Sequence, residues 1–291
     1  TPLYSSAASD VYKRQGLCVF ENAPLGDFKS RSHEMRLSFD NEGRFSGGVG
    51  VFYTKTTDYS TANFAALPQL TAVPTAAVDV NNPATFSVYA ILARTVTEPE
   101  IWSPFAEFSM KLFDGRGRLG VEARYSREKK FQGSLPTSGT SGLNTFAGLT
   151  FEDTFSQFTP RVTLEYNLTE LNKLFASAAK GVKSGGFNAA ATLPQNRTFE
   201  DDQNWTYEIG SKNTFDDGRI RLNGTLFLVR WTDVQIFAQD TGNPAPLPLS
   251  IIRNLGDVHS AGVELEAGYA PTDNLDFSGM FYYGDARYAQ G

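Results

Sequence analysis

Residues 104–128 read PFAEFSMKLFDGRGRLGVEARYSRE. Ala106, Phe108, Met110 and Leu112 alternate with Glu107, Ser109 and Lys111. Beyond the turn Asp114-Gly115-Arg116-Gly117, Leu119, Val121, Ala123 and Tyr125 alternate with Arg118, Glu122, Arg124 and Ser126. Successive side chains of a strand point to opposite faces, so a period of two gives each strand one apolar and one charged face. Two such strands joined by an Asp-Gly turn make a β-hairpin.

The same pattern recurs on both sides of this hairpin. Upstream, Met35, Leu37 and Phe39 alternate with Glu34, Arg36 and Ser38, and Val49, Val51 and Tyr53 follow the turn at Asn41-Glu42-Gly43. Downstream, the apolar sets are Val162, Leu164 and Tyr166; Leu174, Ala176 and Ala178; Trp205, Tyr207 and Ile209; Ile220, Leu222, Leu226 and Leu228; Val263, Leu265, Ala267 and Tyr269; and Leu275, Phe277 and Phe281. This gives roughly ten strands in about five hairpins, most of them reaching the ~9–11 residues that a tilted strand needs to cross a bilayer. The connections also alternate. Short turns such as Asp216-Asp217-Gly218 and Pro271-Thr272-Asp273-Asn274 are followed by long stretches rich in Gly, Ser, Thr, Asn and Pro, at residues 56–103, 131–156, 183–204 and 238–258. Tight turns on one side and long loops on the other are expected when a sheet crosses a membrane. The stretch at residues 86–97 (FSVYAILARTVT) is assigned to the first long loop, as a local strand or helical turn, because a further spanning strand there would break up–down parity.

The pattern therefore predicts an all-β fold: an antiparallel up-and-down transmembrane β-barrel meander, in part, with about ten strands of a larger barrel. A soluble sandwich also alternates, but it rarely joins strands through long structureless loops at every second junction. Of the 291 residues, 41% are hydrophobic and 13% aromatic, with 23 Phe, 12 Tyr and 3 Trp, which suits interfacial girdles. The net charge of −6 gives no reason to expect a nucleic-acid partner. No apolar run reaches the ~20 residues of a spanning helix. Residues 1–15 (TPLYSSAASDVYKRQ) show no period of either kind and read as a non-native or disordered leader, leaving residues 16–291 as the partial barrel domain.

Several hairpins together resemble the C-terminal barrel of TonB-dependent outer-membrane receptors. The motifs are Ser32-His33-Glu34-Met35-Arg36-Leu37 with Gly48-Val49-Gly50-Val51-Phe52-Tyr53, then Thr159-Pro160-Arg161-Val162 with Lys180-Gly181-Val182-Lys183-Ser184-Gly185-Gly186-Phe187-Asn188. Trp205-Thr206-Tyr207-Glu208-Ile209-Gly210-Ser211-Lys212, Arg219-Ile220-Arg221-Leu222-Asn223, Val234-Gln235 and Gly262-Val263-Glu264-Leu265-Glu266 continue the series in family order. The resemblance covers about residues 30 to 288 and leaves the loops unmatched. It implies a bacterial outer-membrane receptor and active transporter for a scarce, bulky ligand, most often a ferric siderophore. Its partners would be outer-membrane lipid and the TonB complex, the latter reached through a plug domain. No plug motif precedes the first hairpin and roughly 22 strands make up the family barrel, so the chain reads as an internal fragment. A passive porin or structural barrel and a soluble carbohydrate-binding β domain are the alternatives.

On this reading Arg161, Glu165, Glu208, Lys212, Arg221, Glu264 and Glu266 face the lumen. Trp102, Trp205 and Trp231 are membrane-interface aromatics. Phe64, Phe187, Asn188, Phe199 and Phe237 are expected ligand contacts by their place in loops. Gly185-Gly186 is expected to leave its strand end with positive φ. His33 and His259 lie far apart, and Cys18 is the one cysteine, so neither a catalytic triad nor a zinc site is expected. No enzymatic activity and no cofactor are expected.

Overall fold

The computed structural model describes residues 19–21, 28–40, 43–65, 90–135, 149–188, 191, 193–240 and 250–289. The strands are β1 (Val19–Glu21), β2 (Phe28–Asp40), β3 (Phe45–Ala65), β4 (Ala90–Leu112), β5 (Gly117–Leu135), β6 (Thr150–Asn167), β7 (Asn172–Lys183), β8 (Gly186–Phe187), β9 (Thr198–Phe199), β10 (Asp202–Phe215), β11 (Ile220–Thr232), β12 (Gln235–Gln239), β13 (Ser250–Asn254), β14 (Val258–Thr272) and β15 (Leu275–Tyr288). Eleven form one sheet in the order β1-β3-β4-β5-β6-β7-β10-β11-β14-β15, with β2 also paired to β3. From β3 onward the sheet's strands are neighbours in chain order and in space, as an up-and-down meander requires. Every described register in this sheet is antiparallel. The chain divides into two compact units, one of residues 1–31, 54–100 and 129–153, the other of residues 32–53, 101–128 and 154–291.

Two expectations change. Residues 90–97 are no separate loop element but the first part of β4, which continues unbroken to Leu112, so parity is preserved; residues 86–89 lie outside the described residues. Likewise β3, at 21 residues, and β5, at 19, run far into the stretches read as loop. Their upper parts carry polar residues on the face that is apolar lower down. In the first unit Lys55 Nζ meets Glu100 at 3.4 Å, Thr57 bonds Glu98, and Lys129 meets Glu152 at 3.0 Å. With polar residues on that face there is no dyad signal to read. The leader at residues 1–15 also lies outside the described residues.

The tight turns form as their composition predicts. Asp114 (φ 54°, ψ 36°) and Gly115 (φ 89°) make the left-handed pair of a type I′ turn, closed by Arg116 N–H donating to Phe113 O at 3.0 Å. Asp217 (φ 50°) and Gly218 (φ 95°) repeat it, with Arg219 N–H donating to Asp216 O at 2.9 Å. Three turns end in Gly-Arg, and each Arg carbonyl then accepts from the next strand pair: Lys111 N–H to Arg44 O, Asn167 N–H to Arg116 O and Ala270 N–H to Arg219 O, all at 2.7–2.8 Å. The short turns are thus stitched sideways to one another.

Among the described residues, no apolar core lies beneath the main sheet. The buried apolar side chains described are Val96, Phe155, Ala191, Val234 and Ile251. The dyad sets remain uncovered: Leu164, Ile209 (60% exposed), Leu226 (57%), Leu265 and Phe281 among them. Register aligns β6, β7, β10, β11 and β14 on one face, with Leu164, Ala176, Ile209, Leu226 and Val263 in a single row. Leaving such a side chain in water forgoes about 1.5–3 kcal/mol. A few rows of them exceed the whole ~5–15 kcal/mol stability of an ordinary domain. The sheet therefore requires an apolar medium against this face, as a bilayer provides.

Candidate functional site

The opposite face of the second unit is polar. Cross-strand partners place Glu264, Thr225, Gly210, Phe175 and Glu165 in one row and Glu266, Asn223, Lys212 and Lys173 in the next. Lys173 pairs with Glu165 at 3.2 Å, Ser177 Oγ donates to Glu208 at 2.9 Å and Asn223 Nδ2 donates to Glu266 at 3.2 Å. Lys212 Nζ stands 5.7 Å from the Phe175 ring centroid, a cation–π contact. Arg36 and Glu107 pair across strands on the same face. Two concavities of about 420 and 360 Å³ open on it and share Arg161, Thr163 and Glu165. Of the charged set singled out in the sequence, Arg161, Glu165, Glu208, Lys212, Glu264 and Glu266 line these hollows. Arg221 lies on the same face one step nearer the turns, opposite Gly268.

At the long-loop end of this unit, the described residues of 184–201 and 233–257 are locked together. Each carries a small two-stranded sheet, β8 with β9 and β12 with β13. Asn188 is the strut between them. Its Nδ2 donates to Asn196 O at 2.9 Å and Ile252 O at 2.7 Å, while its Oδ1 accepts from Ile252 N–H at 2.8 Å. Asn254 does the same one step away, donating to Glu200 O and Asp233 O and accepting from Glu200 N–H. Gln235 Nε2 donates to the carbonyls of Ser184 and Glu200. Asp202 (2% exposed) accepts from Gln235 N–H, and Asp240 (1%) accepts from Asn196 Nδ2. Phe155, Ala191, Val234 and Ile251 are buried here, so the buried apolar side chains described in this unit gather at its loop end.

Gly185 and Gly186 do not have positive φ, contrary to expectation; among the described glycines only Gly115, Gly218 and Gly256 do. Their need is space. A Cβ on Gly185 would strike Phe199 O and the Phe155 ring, and one on Gly186 would strike the Phe199 ring. Loop residues 198–199 cross over the strand end at that point.

The expected ligand contacts separate by position. Phe237 is 79% exposed on β12. Phe187 is half-buried, its ring 6.4 Å from Phe155, and Phe199 packs over Gly186. Asn188 is buried and engaged between the loops. The side chain of Phe64 lies outside the described residues; its backbone pairs with Phe20. Trp102 and Trp205 lie on the apolar face, Trp102 5.2 Å from Tyr53 and Trp205 stacked on Tyr207 at 6.0 Å. Trp231 falls on the polar face by register with Asn204, and its indole Nε1 is buried without a partner. The sequence marks Asn188 as an expected ligand contact and Gln235 within a motif, but marks neither of them, nor Asn254, as a strut, because their partners lie up to 64 positions away. No group of three metal-ligating side chains occurs among the described residues.

Comparison with known proteins agrees with this architecture. Two curated relatives are metal-pseudopaline receptors CntO from two strains of Pseudomonas aeruginosa. One is 29% identical over 181 residues, covering 62% of this chain and 23% of that protein; the other is 29% identical over 142 residues, covering 47% and 18%. Among solved structures, the ferric yersiniabactin uptake receptor FyuA from Yersinia pestis superposes with TM-score 0.67 at 15% identity, over 91% of this chain and 36% of that one. The siderophore receptor PiuA from Acinetobacter baumannii gives 0.64 at 17% identity, over 95% and 41%. This chain thus spans about a fifth of the curated relatives and about two-fifths of the solved ones. The family model described as TonB dependent receptor-like, beta-barrel matches residues 4–291, and the chain belongs to that family.

Proposed function

We propose that this chain forms part of the wall and outer loops of an outer-membrane receptor that takes up a scarce, bulky ligand, most readily a ferric siderophore or similar metal chelate, with energy delivered through TonB. The observation that carries the reading is the division of one sheet into an uncovered apolar face and a charged opposite face, with loops locked into a platform at one end. The apolar face meets outer-membrane lipid, and the charged face, including Arg161, Glu165, Glu208, Lys212, Arg221, Glu264 and Glu266, lines a wet lumen. Family membership and the siderophore and metal receptors among its relatives support the ligand class. Phe237 is exposed on the platform, Phe187 and Phe199 belong to its other small sheet, and these rings make the apolar contacts to a chelate. Trp102 and Trp205 anchor the lipid boundary. The work is binding and release, without bond chemistry.

The test is uptake by Gram-negative cells expressing the complete gene. Outer-membrane fractions are assayed for binding of radiolabelled ferric chelates against the iron-free chelators, and cells with and without TonB are assayed for accumulation. Saturable binding of one ferric chelate and accumulation that stops without TonB are expected. Accumulation independent of TonB would replace this reading with a passive pore. Recovery of the protein as a soluble monomer without detergent would overturn the membrane assignment itself.

A further inference from the structure

A period of two tells each strand which of its faces is apolar, but not which residue of its neighbour to sit beside. A slip of one residue turns every side chain to the wrong face, whereas a slip of two restores the faces and leaves the pattern satisfied. Across a tight turn the turn geometry settles the choice. The strand pairs β3–β4, β7–β10 and β11–β14 have no such turn, being separated by residues 66–89, 184–201 and 233–257. Their register needs another source.

Each of these three junctions carries an aromatic ring laid over a glycine of the neighbouring strand, on the polar face. A Cβ on Gly50 of β3 would strike the Phe105 ring of β4, one on Gly210 of β10 would stand 2.8 Å from the Phe175 ring of β7, and one on Gly262 of β14 would stand 2.5 Å from the Phe227 ring of β11. Phe175 is directly opposite Gly210, and Phe227 directly opposite Gly262. Each ring also meets a second side chain. The Arg124 guanidinium lies 4.9 Å from the Phe105 centroid, Lys212 Nζ lies 5.7 Å from that of Phe175, and Tyr282 stacks on Phe227 at 5.9 Å and 13°. Rings meet glycines elsewhere too, as Phe39 does at Gly47, Tyr282 at Gly284 and Phe199 at Gly186, but across a tight turn, within one strand or in the loops. At the remaining long connection, β5 to β6, the nearest described atoms to a Cβ on Gly120 belong to Thr163 at 3.9 Å.

We propose that these three rings set the register between one hairpin and the next. Each ring lies flat only where its neighbour has no Cβ, so a slip of two drives it onto a side chain. Phe175 would then stand opposite Glu208 or Lys212, and Phe227 opposite Ser260 or Glu264. Phe105 would meet Phe52 in one direction but Gly48 in the other, so its hold is one-sided. A slip of two carries a strand about 7 Å along its neighbour. It would part Ser177 from Glu208 and Asn223 from Glu266, which bond at 2.9 and 3.2 Å, and draw residues 184–201 away from 233–257, which Asn188 joins. The rings thereby fix the height at which the platform loops leave the sheet, whichever ligand is carried.

The test reads register directly, in outer membranes of cells expressing the complete gene. Cys18→Ser removes the one cysteine of this chain, and paired cysteines are placed on the apolar face, away from the rings. Directly opposite positions lie within reach of a disulfide. Ala176→Cys with Ile209→Cys reports the β7–β10 register of the structure, and Ile209→Cys with Leu226→Cys reports the β10–β11 hairpin. Leu174→Cys or Ala178→Cys with Ile209→Cys reports a slip of two in either direction. On oxidation of the parent, the β7–β10 and hairpin pairs should cross-link and the slipped pairs should not. Phe175→Leu should cut the β7–β10 cross-link by about threefold or more, bring up a slipped one and leave the hairpin pair unchanged. Phe175→Tyr, which keeps the ring, should behave as the parent. An unchanged β7–β10 cross-link in Phe175→Leu would overturn the proposal. Equal loss of the β7–β10 and hairpin cross-links would overturn it too, since the ring would then be ordinary packing and not a guide to register.

Discussion

The Asn188 side chain joins two loops through three backbone groups: Asn196 O, Ile252 O and Ile252 N–H. Replacing it with Ala leaves Ile252 N–H, Ile252 O and Asn196 O without their partner. A buried group so orphaned costs about 1–3 kcal/mol. Asn188→Ala should therefore speed hydrogen exchange at the Ile252 amide by roughly 5- to 150-fold, the factor such an energy corresponds to. Amides in the middle of β11 should exchange as before. Equal exchange in both proteins would show that the loops are held by something else. The sequence marks Asn188 only by its place after Gly185-Gly186-Phe187. Its partner is 64 residues away, and no local period encodes a contact of that range. Gly185 is legible as glycine but not in its reason, because the atoms that exclude a side chain come from Phe155 and Phe199.

Three of the hairpins were legible because one repeating unit writes them: a dyad strand, an acidic residue with Gly, an Arg, and a second dyad strand. Gly218 and Arg219 weigh differently within that unit. At φ 95°, Gly218 occupies a region that a Cβ disfavours, and Gly218→Ala should cost about 1–2 kcal/mol. Arg219 reaches Pro271 O at 3.0 Å and Asp273 at 3.2 Å, but Asp273 is 91% exposed, so Arg219→Ala should cost less than about 1 kcal/mol. Urea titration of the chain folded in lipid should rank the two in that order, and the reverse order would mean that the Arg219 side-chain contacts, not the turn geometry, dominate. Element ends were the illegible part. Ala90-Ile91-Leu92-Ala93 is a contiguous apolar run without alternation, and the upper strands pair through Lys55, Glu98 and Glu100, so nothing in the pattern marks where β4 begins.

Across the whole chain, the decisive property is which face meets lipid, and a matched pair of substitutions tests it. Leu226 and Thr225 are neighbours midway along β11 and point to opposite faces. Leu226 stands in the row with Ile209 and Val263; Thr225 stands opposite Glu264. An arginine on the lipid face at mid-bilayer depth costs about 2–4 kcal/mol, whereas lumen positions accept charge. Leu226→Arg should therefore reduce the yield folded into vesicles severalfold or more, and Thr225→Arg should fold close to the parent level, beside an acidic neighbour that can pair with it. Were this face bathed in water, the order would invert or vanish, since a charge on an exposed apolar position would relieve the surface rather than burden it. The pair reads the solvent directly. It holds strand, depth and substituent fixed and changes only the direction in which the guanidinium points.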